Sequence, residues 1–280
     1  VTPRAARHDR PLPDAAPGDV PLAVPGADGL YRRHRPDPES FDASWNAADV
    51  HRLFARLTGP DRPAALDRLL TAWEGVLPVW PRGADAEAVF VWPSRDVALT
   101  PVLLTHGLVP KRIAAVRPTV HQLPGPRESP DAQIRPLEPA DTDRATRLWL
   151  DGLRWDAQFG ACAIRASSAR NVRERLSATL AWVAATPRDV VGLLAVDDPS
   201  GRTALPRGTG YLTSLVVAAP HRGRGVGTAL ARTAHAALAE AGCTRTTLHY
   251  AALSPVSAPF WHHHGYRPQW TTWSRRAPLC

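Results

Sequence analysis

The chain has 280 residues, 44% of them apolar, which is enough to bury one large core or two modest ones. No apolar run approaches the roughly 20 residues that span a bilayer, and Val1 to Arg7 lead into prolines and aspartates instead of an apolar leader, so a soluble, cytoplasmic protein without a membrane partner is expected. The net charge of +8 rests on arginine, with Lys111 the sole lysine and no methionine, a pattern that suggests GC-rich coding, and because the arginines are scattered instead of gathered into a basic arm no nucleic-acid partner is expected.

Residues 1–40 are rich in Pro, Asp, Arg and Gly and are expected to form an irregular arm. Trp45, Val50, Leu53, Phe54 and Leu57 recur at helical spacing, and Leu66, Leu69, Leu70, Trp73, Val76 and Leu77 form a second such face. A strand is predicted over Ala88 to Trp92, then a helix from Val97 to His106, a His106-Gly107 turn and a further strand. A linker is expected at 121–131. Gln133 to Asp143 reads as a strand followed by the acid-capped start of a helix, and Asp189 to Val196 as another strand. Cys162, Cys243 and Cys280 have no metal spacing and fit reduced thiols.

The most informative stretch is Tyr211 to Thr228, a strand, a glycine-rich turn and a helix start in succession. Gly223, Gly225 and Gly227 let the backbone take positive φ and approach a ligand with no Cβ in the way. The helix they open has unpaired N–H donors and partial positive charge, beside Arg222 and Arg224. A Walker loop is excluded because it needs GxxxxGK, and a dinucleotide fingerprint because its last glycine would fall on Thr228. What remains is RxxGxG, filled by Arg222, Gly225 and Gly227. After it, Val226, Leu230, Ala234, Ala237, Leu238 and Ala241 line one helical face and Gly242 ends the helix. A β-rich run from Thr244 to Tyr250 leads into Ser254 to His264, and His264-Gly265-Tyr266-Arg267-Pro268 closes the segment.

Together these residues resemble the GNAT superfamily of acyl-CoA-dependent N-acyltransferases over roughly 132–280. The resemblance implies an α/β fold (α+β, with a mixed sheet). Val89 to Pro118 also matches Thr247 to Arg276 without gaps, placing Pro101 on Pro259, His106 on His264, Gly107 on Gly265, Pro110 on Pro268 and Arg117 on Arg275. The expected organisation is therefore an arm at 1–40, a degenerate GNAT-like unit at 41–120, the linker at 121–131 and a GNAT acetyltransferase domain at 132–280. The nearest loop candidate in the first unit, Thr58 to Pro63, lacks the glycines and carries two prolines, so no CoA is expected there.

The resemblance implies acetyl-CoA as cosubstrate, a small-molecule amine as acceptor, direct attack in a ternary complex, no metal, and a monomer or homodimer. It places the pantetheine arm against Leu215, Val216 and Val217 and the phosphates on Arg222, Gly223, Arg224, Gly225, Val226, Gly227 and Thr228. Ser254, Ser257 and Trp261 occupy the positions of the family's NxxAxxxY pattern, so Ser257 and Trp261 are carried over as cosubstrate contacts, while the proton-donating Tyr is replaced by an indole that is no usable acid. Tyr250, His262 and Tyr266 are the substitutes within reach. For the base, Thr213 and Ser214 stand on the strand where several members carry Glu, which leaves a water chain, Asp151, Asp156, Glu174 or His249. His262, His263 and His264 are consecutive on a helix and point in different directions, which is unfit for one metal. Trp149, Trp155 and Trp182 are expected on helices roofing the acceptor site. The competing expectation is a non-catalytic acyl-CoA-binding protein.

Overall fold

A computed structural model of the chain describes residues 11–119, 131–197 and 205–277. The expected linker lies outside them except for Asp131, as does Cys280. Eleven strands and six helices are found among the described residues. The first half contains β1 (Val20–Val24), β2 (Ala27–His34), β3 (Asp49–Leu57), α1 (Arg62–Val76), β4 (Ala86–Pro93), α2 (Thr100–Thr105) and β5 (Val109–Pro118). The second contains β6 (Gln133–Pro136), α3 (Thr142–Ala157), α4 (Ser168–Ser177), β7 (Thr179–Ala185), β8 (Val190–Asp197), β9 (Thr209–Val217), α5 (Val226–Glu240), β10 (Arg245–Ala251), α6 (Ser257–His263) and β11 (Arg267–Arg276).

Two sequence expectations are corrected. The arm at 1–40 contains the β1–β2 hairpin, whose ladder closes at Val24↔Ala27 around Pro25 and Gly26, the latter at φ 82°. Its Pro and Gly serve as a turn, and Pro21 is tolerated because β1 is an edge strand. Residues 50–57 form strand β3, not a helix. Leu53 and Leu57 of that set also fall on one face of a strand with His51 and Ala55, and all four are buried.

All eleven strands join one sheet in the order β1-β2-β3-β4-β11-β5-β10-β9-β8-β7-β6. Only β3/β4 and β9/β10 run parallel, each pair connected by a crossover helix, α1 and α5 respectively. At the centre the halves exchange their last strands: β5 pairs with β10 of the second half, and β11 with β4 of the first. The registers are related by the sequence repeat. Thr247↔Val116 in one ladder becomes Val89↔Ser274 in the other, each residue shifted by the same 158 positions, and the β5–β11 ladder maps onto itself about Ile113↔Thr271. Each half's sheet is thus completed by a strand of the other.

The first half's core packs α1 on β2 to β4 through Leu53, Leu66, Leu69, Leu70, Trp73 and Phe90, with Trp273 arriving from β11. In the second half α5 covers one face through Leu230, Ala234 and Leu238, while α3 and α4 cover the other through Leu148, Trp149 and Val172. At the seam, Lys111 Nζ on β5 donates to both carboxylate oxygens of buried Glu87 on β4 at 2.8 and 2.7 Å and to the Trp45 carbonyl at 3.1 Å, while Ala47 N–H donates to Glu87 at 3.0 Å. Burial lowers the Lys111 ammonium to about 8 against the opposing pull of Glu87.

Candidate functional site

The site begins where two strands part. β9 and β10 pair only from Thr209↔Arg245 to Leu212↔Leu248, yet β9 continues to Val217 and β10 to Ala251. At the point of divergence β9 bulges against β8: Ala195 faces Ser214 and Val196 faces Leu212, leaving Thr213 as the extra residue. A bulge bends its strand and increases twist, which swings the end of β9 away from β10. The resulting cleft has a volume of about 460 Å³. The edge of β9 that would have continued the ladder faces this opening, where an extended ligand can pair with backbone groups. Thr213 is committed to the scaffold, donating to Asp197 at 2.7 Å.

At one end of the cleft stands the glycine turn. Gly223 and Gly225 have φ of 73° and 82°, and no other atom lies within 4 Å of where a Cβ on either would sit. Gly225 is the N-cap of α5 and offers no side-chain cap, so the first-turn donors of a 15-residue helix open onto the cleft. Gly227 is tightly packed, since a Cβ there would lie 3.3 Å from the Phe260 ring. Arg222 donates from Nε to the Val217 carbonyl at 3.0 Å and lays its guanidinium over Trp155, 5.2 Å from the ring centroid. Of the residues carried over for acyl-CoA, Leu215, Val216, Val217, Arg222, Gly223, Gly225, Gly227, Thr228, Ser257 and Trp261 all line the cleft. Arg224 and Val226 do not. Arg224 is exposed and reaches toward Asp131, and the Val226 side chain is packed in the core.

The proton-handling candidates separate cleanly. Tyr250 lines the cleft from β10, its hydroxyl 3.1 Å from Nε2 of exposed His262 on α6, and burial raises its pKa. Tyr266 is removed from the candidates: it is fully buried in the core, its hydroxyl is 2.7 Å from His235 Nε2, and burial pushes its pKa far up. Asp151 is exposed and paired with Arg154 at 2.7 Å, and Glu174 is exposed beside Arg170. His249 lines the cleft with Nδ1 2.9 Å from the Tyr211 hydroxyl. Asp156 lines it too, raised to about 6 by burial.

The three histidines serve different places. His262 meets Tyr250, His263 is exposed, and buried His264 ties Nδ1 to the Phe260 carbonyl at 2.7 Å and Nε2 to Thr228 at 3.2 Å. Its repeat partner His106 likewise reaches the neighbouring crossover helix, at 3.1 Å from both Asp67 and Glu74. Trp149 and Trp155 lie on α3 in the cleft wall, whereas Trp182 is on strand β7, away from it. Trp45 and Phe260 are cleft residues that the sequence did not single out. Trp45 is 97 positions ahead of the start of α3, and no local pattern announces that the first half delivers it there.

The acetyltransferase (GNAT) family model matches residues 144–266. Among solved structures, the fold is similar to that of a GCN5-related N-acetyltransferase from Sphaerobacter thermophilus, at 16% identity and TM-score 0.57 over 91% of this chain and 78% of that one. It is also similar to a GCN5-related glucosamine N-acetyltransferase region of a fungal multi-domain GH3 β-N-acetylglucosaminidase, at 13% identity and TM-score 0.51 over 89% of this chain and 31% of that one. A tandem GNAT protein from the clavulanic acid biosynthesis pathway aligns at 13% identity and TM-score 0.47 over 92% of this chain and 86% of that one. No curated protein matches the chain. Residues 144–266, in the second half of the chain, are thus a domain of the acetyltransferase (GNAT) family.

Proposed function

We propose that the protein transfers an acetyl group from acetyl-CoA to the primary amine of a small molecule, both substrates being bound together in the cleft. The observation that carries this reading is the open turn at Gly223 and Gly225 beside the parted end of β9. The turn offers helix donors and Arg222 to a pyrophosphate, and the β9 edge offers a ladder to the amide-bearing arm that follows it. An N–H of that edge is placed to receive the oxyanion that develops on the thioester carbonyl.

Tyr250 stands in for the missing acid on α6. A thiol such as that of CoA ionises near 8.5, and burial lifts Tyr250 above the ordinary tyrosine value near 10, so Tyr250 steadies the departing thiolate as a hydrogen-bond donor instead of surrendering its proton outright. His262 behind it connects the hydroxyl to solvent. Tyr250→Phe is expected to lower kcat about tenfold to a hundredfold, toward the low end of what a positioned proton donor contributes, with KM for acetyl-CoA unchanged, as read by free-thiol release. The buried indole of Trp261 in place of a tyrosine favours the second reading, a binding protein without turnover. Tight acetyl-CoA binding with no thiol release across a broad amine panel would establish that reading instead.

A further inference from the structure

On the α3 side the cleft is walled by indoles. Trp149 and Trp155 belong to α3, and Trp45 is delivered by the first half, its backbone carbonyl held by Lys111 and its ring beneath the Arg112 guanidinium. Phe41 packs edge-on against both Trp45 and Trp149, fixing the wall. One carboxylate stands in this apolar surface: Asp156, which follows Trp155.

Asp156 is set where a carboxylate is costly. It occupies the last turn of α3, whose C-terminal end carries partial negative charge. No described residue gives its carboxylate a hydrogen bond or an ion pair, whereas Asp141, Asp143, Asp151 and Asp189 in and around the same helix each hold an arginine. Burial alone raises its pKa, and Asp156 in turn helps raise the buried thiol of Cys162. A cationic partner entering the cleft would relieve all of this.

We propose that Asp156 is the counter-ion and proton acceptor for the acceptor substrate, and that this substrate is a small cationic amine with an apolar or aromatic body and no acidic group. The inference rests on the acetyl-transfer reading and deepens it. The ammonium pairs with the carboxylate while the indole wall takes the apolar body. An apolar wall disfavours the charge-separated pair, so one N–H proton passes to Asp156. The freed nitrogen lone pair attacks the thioester carbonyl, the C–N bond forms and the C–S bond breaks with its electron pair on sulfur. A second nitrogen proton reaches the thiolate. The products are the amide, CoA as free thiol and protonated Asp156, which returns its proton to solvent. An acceptor bearing its own carboxylate would set like charge against Asp156 and is excluded.

The test uses the full chain with acetyl-CoA and two probes of the same body, phenethylamine and phenylalanine, followed by free-thiol release from pH 5 to 9. The charged and titratable groups that share the cleft with Asp156 are His221 and Arg222 at the glycine turn and His249 and Tyr250 on β10, and buried Cys162 feels Asp156 together with Arg112, Lys111 and Arg276. The Asp156→Asn variant therefore separates the limb that Asp156 sets from any that these groups set. Phenethylamine is expected to exceed phenylalanine in kcat/KM at least a hundredfold, with an acid limb near pH 6. Asp156→Asn is expected to lose about 10²- to 10⁴-fold with phenethylamine, to lose that limb, and to bind acetyl-CoA within threefold of wild type by calorimetry. Trp45→Ala is expected to raise KM for phenethylamine about tenfold, the loss of one aromatic wall. Comparable use of phenylalanine, no turnover of phenethylamine, or an Asp156→Asn variant within threefold of wild type would overturn the inference while acetyl-CoA binding stands. Failure of wild type to bind acetyl-CoA would overturn the acetyl-transfer reading and this inference with it.

Discussion

Both halves contain a strand, a turn, a crossover helix and a parallel strand, as β3–α1–β4 and β9–α5–β10, but the two turns treat their helix donors in opposite ways. At α1 the turn is closed and the helix start is capped: ahead of the helix Thr58 and Gly59 give their N–H groups to the Gly26 carbonyl at 2.9 and 3.0 Å, and in its first turn Pro63 has no N–H to give and the Asp61 carboxylate caps Ala64 N–H at 3.1 Å. Beyond that turn, Trp92, the repeat partner of Tyr250, is buried in the core and donates to Asp96, which also pairs with Arg62 at 2.7 Å. At α5 the cap is a glycine with open space around it, and Tyr250 faces a cleft. The fold supplies the positive helix end in either case. A built-in aspartate fills the place of the anion in one half, and its absence leaves the other half receptive.

The largest effect expected separates the halves at a matched pair of positions. Glu87 and Lys111 are buried together, while the residues 158 positions on, Arg245 and Gln269, are exposed. Lys111→Ala should cost about 3–5 kcal/mol in chemical denaturation by stranding a buried carboxylate, and Arg245→Ala should stay within about 0.5 kcal/mol. Equal effects would mean that the seam is not asymmetric.

Next in size is the cost of keeping the second half's cleft ready. Because folding raises the Asp156 carboxyl from 3.8 to about 6, the folded protein favours its protonated form and loses stability as pH rises from about 4 to 6. Asp156→Asn should therefore stabilise the protein by up to roughly 3 kcal/mol above pH 6 and by nothing below pH 4. A gain independent of pH would contradict this account.

Gly225→Asp imitates the first half's turn in the second. It should weaken acetyl-CoA binding at least a hundredfold, about 2.7 kcal/mol, by placing a carboxylate where the proposed cosubstrate would put its phosphates, and circular dichroism should show the fold retained. The converse change, Asp61→Ala, should lower stability by only about 1 kcal/mol through the lost cap and create no acetyl-CoA site, because Gly26, Pro63 and Trp92 still close the turn.

The parts legible in the sequence are those built from local pattern. The glycine turn, the α5 face, the His-Gly turns and the gapless match of Val89–Pro118 to Thr247–Arg276 all lie within short windows, and the last of these reappears as the register of the central ladders. Strand exchange was not legible, because a β-strand's partner is chosen by long-range packing and β5 reads the same beside β4 or β10. The β1–β2 hairpin was hidden by its own proline and glycine, and β3 by an apolar spacing that suits a helix as well as a strand. Tyr250 and Tyr266 look equivalent in sequence. Only the sheet places one on the cleft and the other against His235. Asp156 was one of several acids until the structure paired the others with arginines.

The central claim is that one of two similar turns holds an acyl-CoA. Calorimetric titration of the full chain with acetyl-CoA, alongside Gly225→Asp, tests it most directly. The account predicts one site per chain in the wild type and none in the variant. Two sites, or a variant that binds as wild type does, would contradict it.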